Sequence, residues 1–217
     1  VANHYNITSI NLAKEVNDRI LNGEFTWKDD FKDLHPSPFG QGIYARSIVW
    51  TFDQLLDHAD NYNLGSKMIP TRPLDPFSYF NGRLVNIKKS KKRKEWVIEK
   101  SWHPNDSAST RSGYVNVPAL VCETPGGIFS LNFKGRAIGI LVAAGPDAGI
   151  IEYSVDGNYY KKLDLYTQWS NWLHLPWLYI LEDQLSDSEH HLVVRMTNHK
   201  NEKSTGTACR IFNFAVN

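Results

Sequence analysis

The stretch that decides the fold is Tyr114–Leu165, YVNVPALVCETPGGIFSLNFKGRAIGILVAAGPDAGIIEYSVDGNYYKKLDL. Short apolar runs rich in β-branched residues alternate here with turn-forming residues. Pro125-Gly126-Gly127, Lys134-Gly135 and Gly145–Gly149 separate successive runs, and Asp156-Gly157 is the signal of a type I′ hairpin. This pattern predicts consecutive strands with no helix between them, and therefore antiparallel pairing.

The same spacing continues to the C-terminus and predicts about ten short strands in all. Eight of these predicted strands cover residues 114–122, 127–133, 136–144, 149–155, 159–165, 177–182, 190–197 and 206–215. A single open sheet of that size would expose an apolar face and two edges. The predicted fold is therefore mainly β, an antiparallel β-sandwich of the jelly-roll type.

Two segments of the predicted sandwich invite a binding interpretation. The basic run Lys88–Lys94 is predicted to be a solvated hairpin tip between strands at 84–88 and 95–101, with a phosphate or other anion site as the alternative. Gly145–Gly149 lacks the Lys-Ser/Thr of a P-loop and the spaced carboxylates of a calcium loop, so it is predicted to be a tight hairpin.

A short α/β segment precedes the sandwich. Ile7–Ile10 is predicted to be a strand, and apolar residues at helical spacing over 12–21 predict a helix that Gly23 ends. Ser37 as N-cap with Pro38 at the first helical position predicts a second helix. We divide the chain into a strand and helix segment at 1–60, a turn-rich linker at 61–82 and the sandwich at 83–217.

Length and charge exclude several classes of protein. The 217 residues carry 24 Lys and Arg against 23 Asp and Glu, a formal net charge of +1 that provides no overall field for nucleic acid. No apolar run is long enough to span a membrane. The two cysteines, Cys122 and Cys209, are predicted to be buried free thiols, with a single cross-sandwich disulfide as the alternative.

One loop carries residues typical of acid–base chemistry. Asp33 and His35 lie directly before the predicted second helix, where a scaffold can hold side chains towards solvent. The histidine could act as a general base with the aspartate fixing its tautomer, or it could simply stabilise the loop.

Residues 31–44, together with the approach over 5–12, resemble the last motif block of an SGNH/GDSL-type esterase domain. The resemblance implies a serine esterase with a flavodoxin-like sheet, in which His35 is the general base. Family members usually place the triad aspartate three residues before the histidine. Here that position is Lys32, so Asp33 is the first candidate for the acid and Asp30 the second.

The earlier blocks of that family, which carry the nucleophilic serine and the oxyanion donors, do not precede His35. The flanks of Ser101, Ser130 and Ser170 do not resemble a nucleophile elbow. We therefore expect the chain to be the C-terminal portion of a longer hydrolase, inactive without a preceding SGNH segment.

The predicted sandwich resembles the C-terminal domain that follows the SGNH domain in hydrolases of gut-type Bacteroidetes. The resemblance rests on residues 113–118, 144–157 and 169–177. It implies an acylated carbohydrate or small ester as substrate and a periplasmic or secreted location.

Aromatic residues are concentrated between Tyr166 and Tyr179. Rings stack on the apolar faces of sugars, so a carbohydrate platform is one interpretation; packing on the sandwich core and docking on the catalytic domain are the others. The candidate substrate-binding residues are Trp169, Trp172, His174 and Trp177. Histidines 190, 191 and 199 lack metal-ligand spacing, so we predict no metal and no cofactor.

The apolar stripe of the second helix includes Ile43, Ile48 and Phe52, and we expect it to be covered by the sandwich or by a second copy in a homodimer. For the whole chain, the alternatives to an esterase fragment are a non-catalytic carbohydrate-binding sandwich and an interaction domain that completes the sheet of another chain.

Overall fold

The computed structural model describes residues 1–57 and 69–217. The chain forms two compact units, Val1–Pro76 and Phe77–Asn217. Residues 61–68 of the predicted linker lie outside the described residues.

The first unit is helical. It contains α1 at Ala2–Tyr5, α2 at Leu12–Leu21, a π-helical turn at Trp27–Phe31 and α3 at Pro38–Asp57. Both predicted helices are confirmed, and Ser37 Oγ accepts a hydrogen bond from the Gly40 N–H at 3.3 Å, as expected of an N-cap. The strand predicted at Ile7–Ile10 is wrong: these residues have no regular structure. The described part of this unit contains no strand that could pair with them.

A small core holds the first unit together. It consists of Val16, Phe25, Phe31 and Ile43, contributed by α2, the π-helical turn and its flank, and α3. Of the predicted apolar stripe, Ile43 is fully buried, whereas Ile48 and Phe52 are exposed on the single chain. Coverage of those two residues by a second copy remains a prediction.

The second unit is built from twelve strands. They are β1 Arg83–Asn86, β2 Lys91–Lys94, β3 Val97–Trp102, β4 Ser109–Thr110, β5 Val117–Cys122, β6 Ile128–Lys134, β7 Ile138–Ala144, β8 Gly149–Val155, β9 Lys161–Asp164, β10 Leu173–Glu182, β11 Glu189–Lys200 and β12 Cys209–Val216, with a short 3₁₀ turn at Ile87–Lys89. The eight strands predicted from the sequence all form, with shifted ends.

These strands form two sheets. The larger sheet has the order β3-β5-β12-β7-β10-β4, and β1 pairs with the C-terminal half of β12, beyond the part that pairs with β5. The smaller sheet has the order β2-β6-β11-β8-β9. Every pairing between these strands is antiparallel except the two-residue contact of β4 with β10. The predicted antiparallel β-sandwich is therefore confirmed.

The core of the sandwich comes from alternate residues of both sheets. Phe129 and Leu131 of β6 and Ile138 and Ile140 of β7 are fully buried in one cluster. Their sequence neighbours point to the outer faces, as the two-residue period of a strand requires. The outer face of the larger sheet carries a second, smaller cluster that includes Trp102 and Phe212.

Most of the turn motifs lead from one sheet to the other. The segments between β5 and β6, between β6 and β7, and between β7 and β8 all cross from one sheet to the other. The tight hairpin predicted at Gly145–Gly149 is therefore wrong, because β7 and β8 belong to different sheets. Asp156 and Gly157 form the predicted turn between β8 and β9, with φ of 55° and 76° and a hydrogen bond from the Asn158 N–H to the Val155 carbonyl, but regular pairing of the two strands starts only at Tyr153 and Lys161.

The basic run is not a hairpin tip. Its last four residues form β2, an exposed edge strand of the smaller sheet, whereas β1 and β3 on either side belong to the larger sheet. The chain thus crosses the sandwich twice within about 20 residues. Lysine-rich edge strands are a known protection against edge-to-edge aggregation.

The two cysteines are neighbours. Cys122 of β5 lies directly opposite Cys209 of β12, and both are buried free thiols, as predicted. Burial raises the pKa of both thiols, and the neighbouring Cys122 adds to the rise at Cys209.

Candidate functional site

The loop before α3 brings His35 and Asp33 together. The Asp33 carboxylate accepts the backbone N–H of His35 at 2.5 Å, and its Oδ1 lies 3.8 Å from His35 Nδ1. Both side chains are exposed. The carboxylate of Asp30 instead accepts hydrogen bonds from the N–H and Oγ1 of Thr26. Asp33 is thus the aspartate that lies beside His35, at a distance that a small rotation would close to a hydrogen bond.

The buried side chain of Phe31 anchors this loop. The Ser37 N–H donates to the Phe31 carbonyl at 3.0 Å, and Ser37 Oγ donates to the Asp30 carbonyl at 2.5 Å. A Cβ at Gly40 would lie 2.8 Å from the Phe31 ring, so the close approach of α3 to this ring requires glycine. The backbone on both sides of His35 is therefore fixed, while the imidazole itself faces solvent.

The three tryptophans of the aromatic segment are partly exposed. Trp169 and Trp172 lie in the loop between β9 and β10 with their ring centroids 6.4 Å apart at nearly a right angle. Trp177 lies on β10 opposite Val142, so it points to the core-facing side of the sheet close to its edge. Each of the three is 41–46% exposed. All three present aromatic surface to solvent. The rings of Trp169 and Trp172 are perpendicular, so they do not form one flat platform.

His174 is not at the surface. It is 2% exposed, and its Nε2 lies 3.0 and 3.1 Å from the two carboxylate oxygens of Asp106. Its ring packs against Trp102 and so closely on Gly145 that a Cβ there would lie 2.0 Å from Nδ1. His174 therefore links the start of β10 to the loop that carries Asp106. Its side chain does not reach the surface where the tryptophans lie.

The buried cation Arg210 lies near this histidine, and no local sequence pattern marks it. Arg210 of β12 donates two hydrogen bonds of 2.7 Å to Asp147 and one of 2.8 Å to Glu123. Its guanidinium lies 5.6 Å from the Trp102 ring centroid. Burial works against the charge of Asp147, but the hydrogen bonds from Arg210 and its positive charge together outweigh burial and lower the pKa of that carboxyl.

A second histidine–carboxylate pair ties the β8–β9 turn to β11. Nδ1 of His190 lies 2.6 Å from Asp156 Oδ2, and Nε2 lies 2.9 Å from the Ser186 carbonyl. The carbonyl and then the carboxylate raise the pKa of this imidazole above its usual value. Because both ring nitrogens are held by structural partners, this pair is a structural clamp.

Two of the sandwich serines are inaccessible to a substrate. Ser130 and Ser170 are buried, and Ser170 Oγ donates to the Ala144 carbonyl at 3.1 Å. Among residues 1–57 and 69–217, no three His, Cys, Asp or Glu side chains are placed to share a metal ion. None of the helices in this part of the chain is both long and apolar enough to cross a membrane.

Comparisons with known proteins support the fold. No family profile and no curated protein matches the sequence. Among solved structures, a two-domain esterase (CEX) active on acetylated mannans, co-crystallised with mannopentaose, matches 99% of this chain with a TM-score of 0.69 and 17% identity. The same esterase crystallised without that sugar gives the same score. A family two carbohydrate esterase from Cellvibrio japonicus matches 62% of the chain at 12% identity with a TM-score of 0.39.

The chain spans just over half of the length of the first of these structures, 56%. At 17% identity the similarity establishes a shared fold. The activity of the matched esterase is a property of that protein.

Proposed function

We propose that this chain is the C-terminal part of a carbohydrate esterase of the SGNH/GDSL type, in which His35 is the general base and Asp33 orients it. The sandwich is then an accessory domain, and the substrate is an acylated carbohydrate. The observation that carries the proposal is the fold similarity to an esterase active on acetylated mannans over 99% of this chain, which includes the residues around His35.

The geometry around His35 is consistent with this role. A base must reach a proton on a reacting group, and the imidazole is exposed on a loop whose backbone is fixed by Phe31 and Ser37. Asp33 lies on the Nδ1 side of the ring, which leaves Nε2 free to take a proton. The nucleophilic serine and the oxyanion donors would come from a segment that precedes residue 1 in the complete enzyme.

In that enzyme, His35 would accept the proton of the serine hydroxyl as the oxygen attacks the ester carbonyl. It would then donate the proton to the departing sugar hydroxyl, and a water molecule would release the acyl group by the same route. Removal of a triad histidine costs several orders of magnitude in turnover.

The test is acetate release from acetylated mannan by the longest polypeptide that the reading frame encodes. We expect His35→Gln to lower kcat by at least about 10³-fold and Asp33→Asn to lower it less. His103→Gln removes an exposed histidine of the sandwich and serves as the matched control. Unchanged turnover in His35→Gln would refute the assignment.

The exposed tryptophan pair supports a second function, the binding of a glycan by the sandwich itself. We expect Trp172→Ala to weaken retention of the chain on immobilised mannan several-fold without changing its melting temperature. Trp50→Ala removes a more exposed tryptophan from α3 and should leave retention unchanged. Equal loss in both variants, or no retention of the wild type on a broad glycan panel, would argue against this function.

Two further expectations belong to the same proposal. A periplasmic or secreted location follows from the resemblance to polysaccharide-degrading hydrolases and would be tested by fractionation of the source cells. Homodimer formation through α3 follows from the exposed Val49, Phe52 and Leu56. Sedimentation of wild type against Phe52→Glu would test it, since a dimer held by this face should dissociate in the variant.

A further inference from the structure

One row of residues crosses all five strands on the outer face of the smaller sheet, and four of its five members are charged. The strand registers align Lys94 of β2, Ile128 of β6, Arg195 of β11, Glu152 of β8 and Lys162 of β9. All five belong to the face opposite the core, since their neighbours Phe129, Val194, Tyr153 and Leu163 pack inward. Five strands spaced about 4.8 Å apart make this row roughly 19 Å long.

The row runs along an open groove. The groove has a volume of about 530 Å³, and Lys94, Ile128, Glu152 and Arg195 contribute to its lining together with His199. Next to it, the Arg195 guanidinium lies 3.9 Å from the centre of the Tyr160 ring. At this distance the guanidinium lies over the ring face in a cation–π contact.

Most cations on and beside this groove have no carboxylate partner among the described residues. In the described part of the chain, neither Arg195 nor any of the four basic residues Lys91–Lys94 has a carboxylate within 4.0 Å. Lys162 is paired with Glu152, but at 3.9 Å and with its side chain largely exposed. The groove therefore has an excess of positive charge although the whole chain is close to neutral.

We propose that this groove binds a carboxylate-bearing oligosaccharide, with Arg195 as the main anion contact. The guanidinium fork matches a carboxylate bidentately, and the Tyr160 ring that orients it can also contact a sugar face. Glu152, between Arg195 and Lys162 in the row, would accept hydrogen bonds from sugar hydroxyl groups. The choice of a glycan rests on the proposed carbohydrate-directed function, whereas the requirement for negative charge rests on the groove alone.

The experiment compares one polymer in two charge states. Binding of the 217-residue chain to polygalacturonate and to its fully methyl-esterified form would be measured by calorimetry at low and at moderate salt. We expect the acidic form to bind at least tenfold more tightly, with an affinity that falls as salt rises. Arg195→Gln and Lys94→Gln should each weaken that binding at least fivefold, and Tyr160→Ala should do so where Tyr160→Phe does not.

Lys100→Gln is the matched control, since it removes an exposed cation from the other sheet. Lys94 lies on an exposed edge strand, so its variant keeps the test valid if Arg195→Gln does not fold. Equal affinity for the two polymers, no binding of polygalacturonate, or equal effects of Lys94→Gln and Lys100→Gln would overturn the proposal. Equally tight binding of duplex DNA would also overturn it, by showing a general polyanion surface. Loss of esterase activity in His35→Gln leaves these measurements unchanged, so the two proposals fail independently.

Discussion

Replacement of Arg210 by methionine should destabilise the sandwich more than any other single loss of charge in it. The side chain is buried, and it is held by a bidentate hydrogen bond to Asp147 and a single one to Glu123. Methionine keeps most of the apolar contact with Trp102 and removes only the cation. The variant therefore isolates the cost of leaving Asp147 without its partner.

The size of the effect follows from the burial of the two carboxylates. Removing one partner of a fully buried ion pair costs about 3–5 kcal/mol. The Asp147 side chain is 28% exposed and that of Glu123 is 62% exposed, so water can reach both after the change. We therefore expect a loss at or just below the lower end of that range, about 2–3 kcal/mol. Asp147→Asn should cost about 1–2 kcal/mol, because Arg210 keeps Glu123.

The assay is urea unfolding of the whole chain followed by tryptophan fluorescence, with Lys100→Met as the control for an exposed cation. The double variant Arg210→Met/Asp147→Asn should be more stable than the sum of the two single losses predicts, by at least about 1 kcal/mol, because it removes the partly buried Asp147 charge together with its partner. A single variant within about 0.5 kcal/mol of wild type, or strict additivity in the double variant, would refute the reasoning.

Three further predictions concern the sandwich. Gly145→Ala should destabilise it by at least about 2 kcal/mol, because the new Cβ would lie 2.0 Å from the ring of His174, whereas Gly42→Ala, whose Cβ meets no atom closer than 3.5 Å, should not; thermal unfolding of both variants distinguishes the sites. Because the pKa of His190 is raised in the folded state, its protonation should stabilise the fold fully below about pH 6.5, and this contribution should be lost as the pH rises through the folded-state pKa. His190→Gln should therefore flatten the dependence of the unfolding free energy on pH in that range. An unchanged pH dependence would contradict the clamp. Cys122 and Cys209 should resist a thiol reagent at pH 8 in the native chain and react within minutes in urea, and rapid native labelling would contradict their burial.

The sequence predicted where strands begin and end better than how they connect. Gly145–Gly149 is marked as a turn by its glycines and proline, but the same residues suit a hairpin and a crossover between sheets. In the structure these residues form a crossover, because β7 belongs to the larger sheet and β8 to the smaller one. The turn at Asp156-Gly157 was predictable from its two positions of positive φ, but the extra residue that delays strand pairing to Tyr153 and Lys161 was not.

Local signals also predicted part of the candidate sites. The placement of His35 beside Asp33 could be predicted, because the two residues are neighbours in sequence ahead of a capped helix. Burial of His174 could not, since its carboxylate partner Asp106 is 68 residues away. Arg210 was missed for the same reason, as its partners lie 63 and 87 residues earlier in the chain. The predicted strand at Ile7–Ile10 failed because strand propensity alone, without a neighbouring strand, does not form a sheet.

The most direct measurement for the central claim is active-site labelling with a fluorophosphonate probe of the longest polypeptide encoded around these 217 residues, followed by mapping of the labelled peptide. We predict that one serine preceding residue 1 becomes labelled and that His35→Gln abolishes the labelling. A labelled serine within residues 1–217, labelling that survives in His35→Gln, or no labelling at all would contradict the assignment of His35 as the base of a serine esterase.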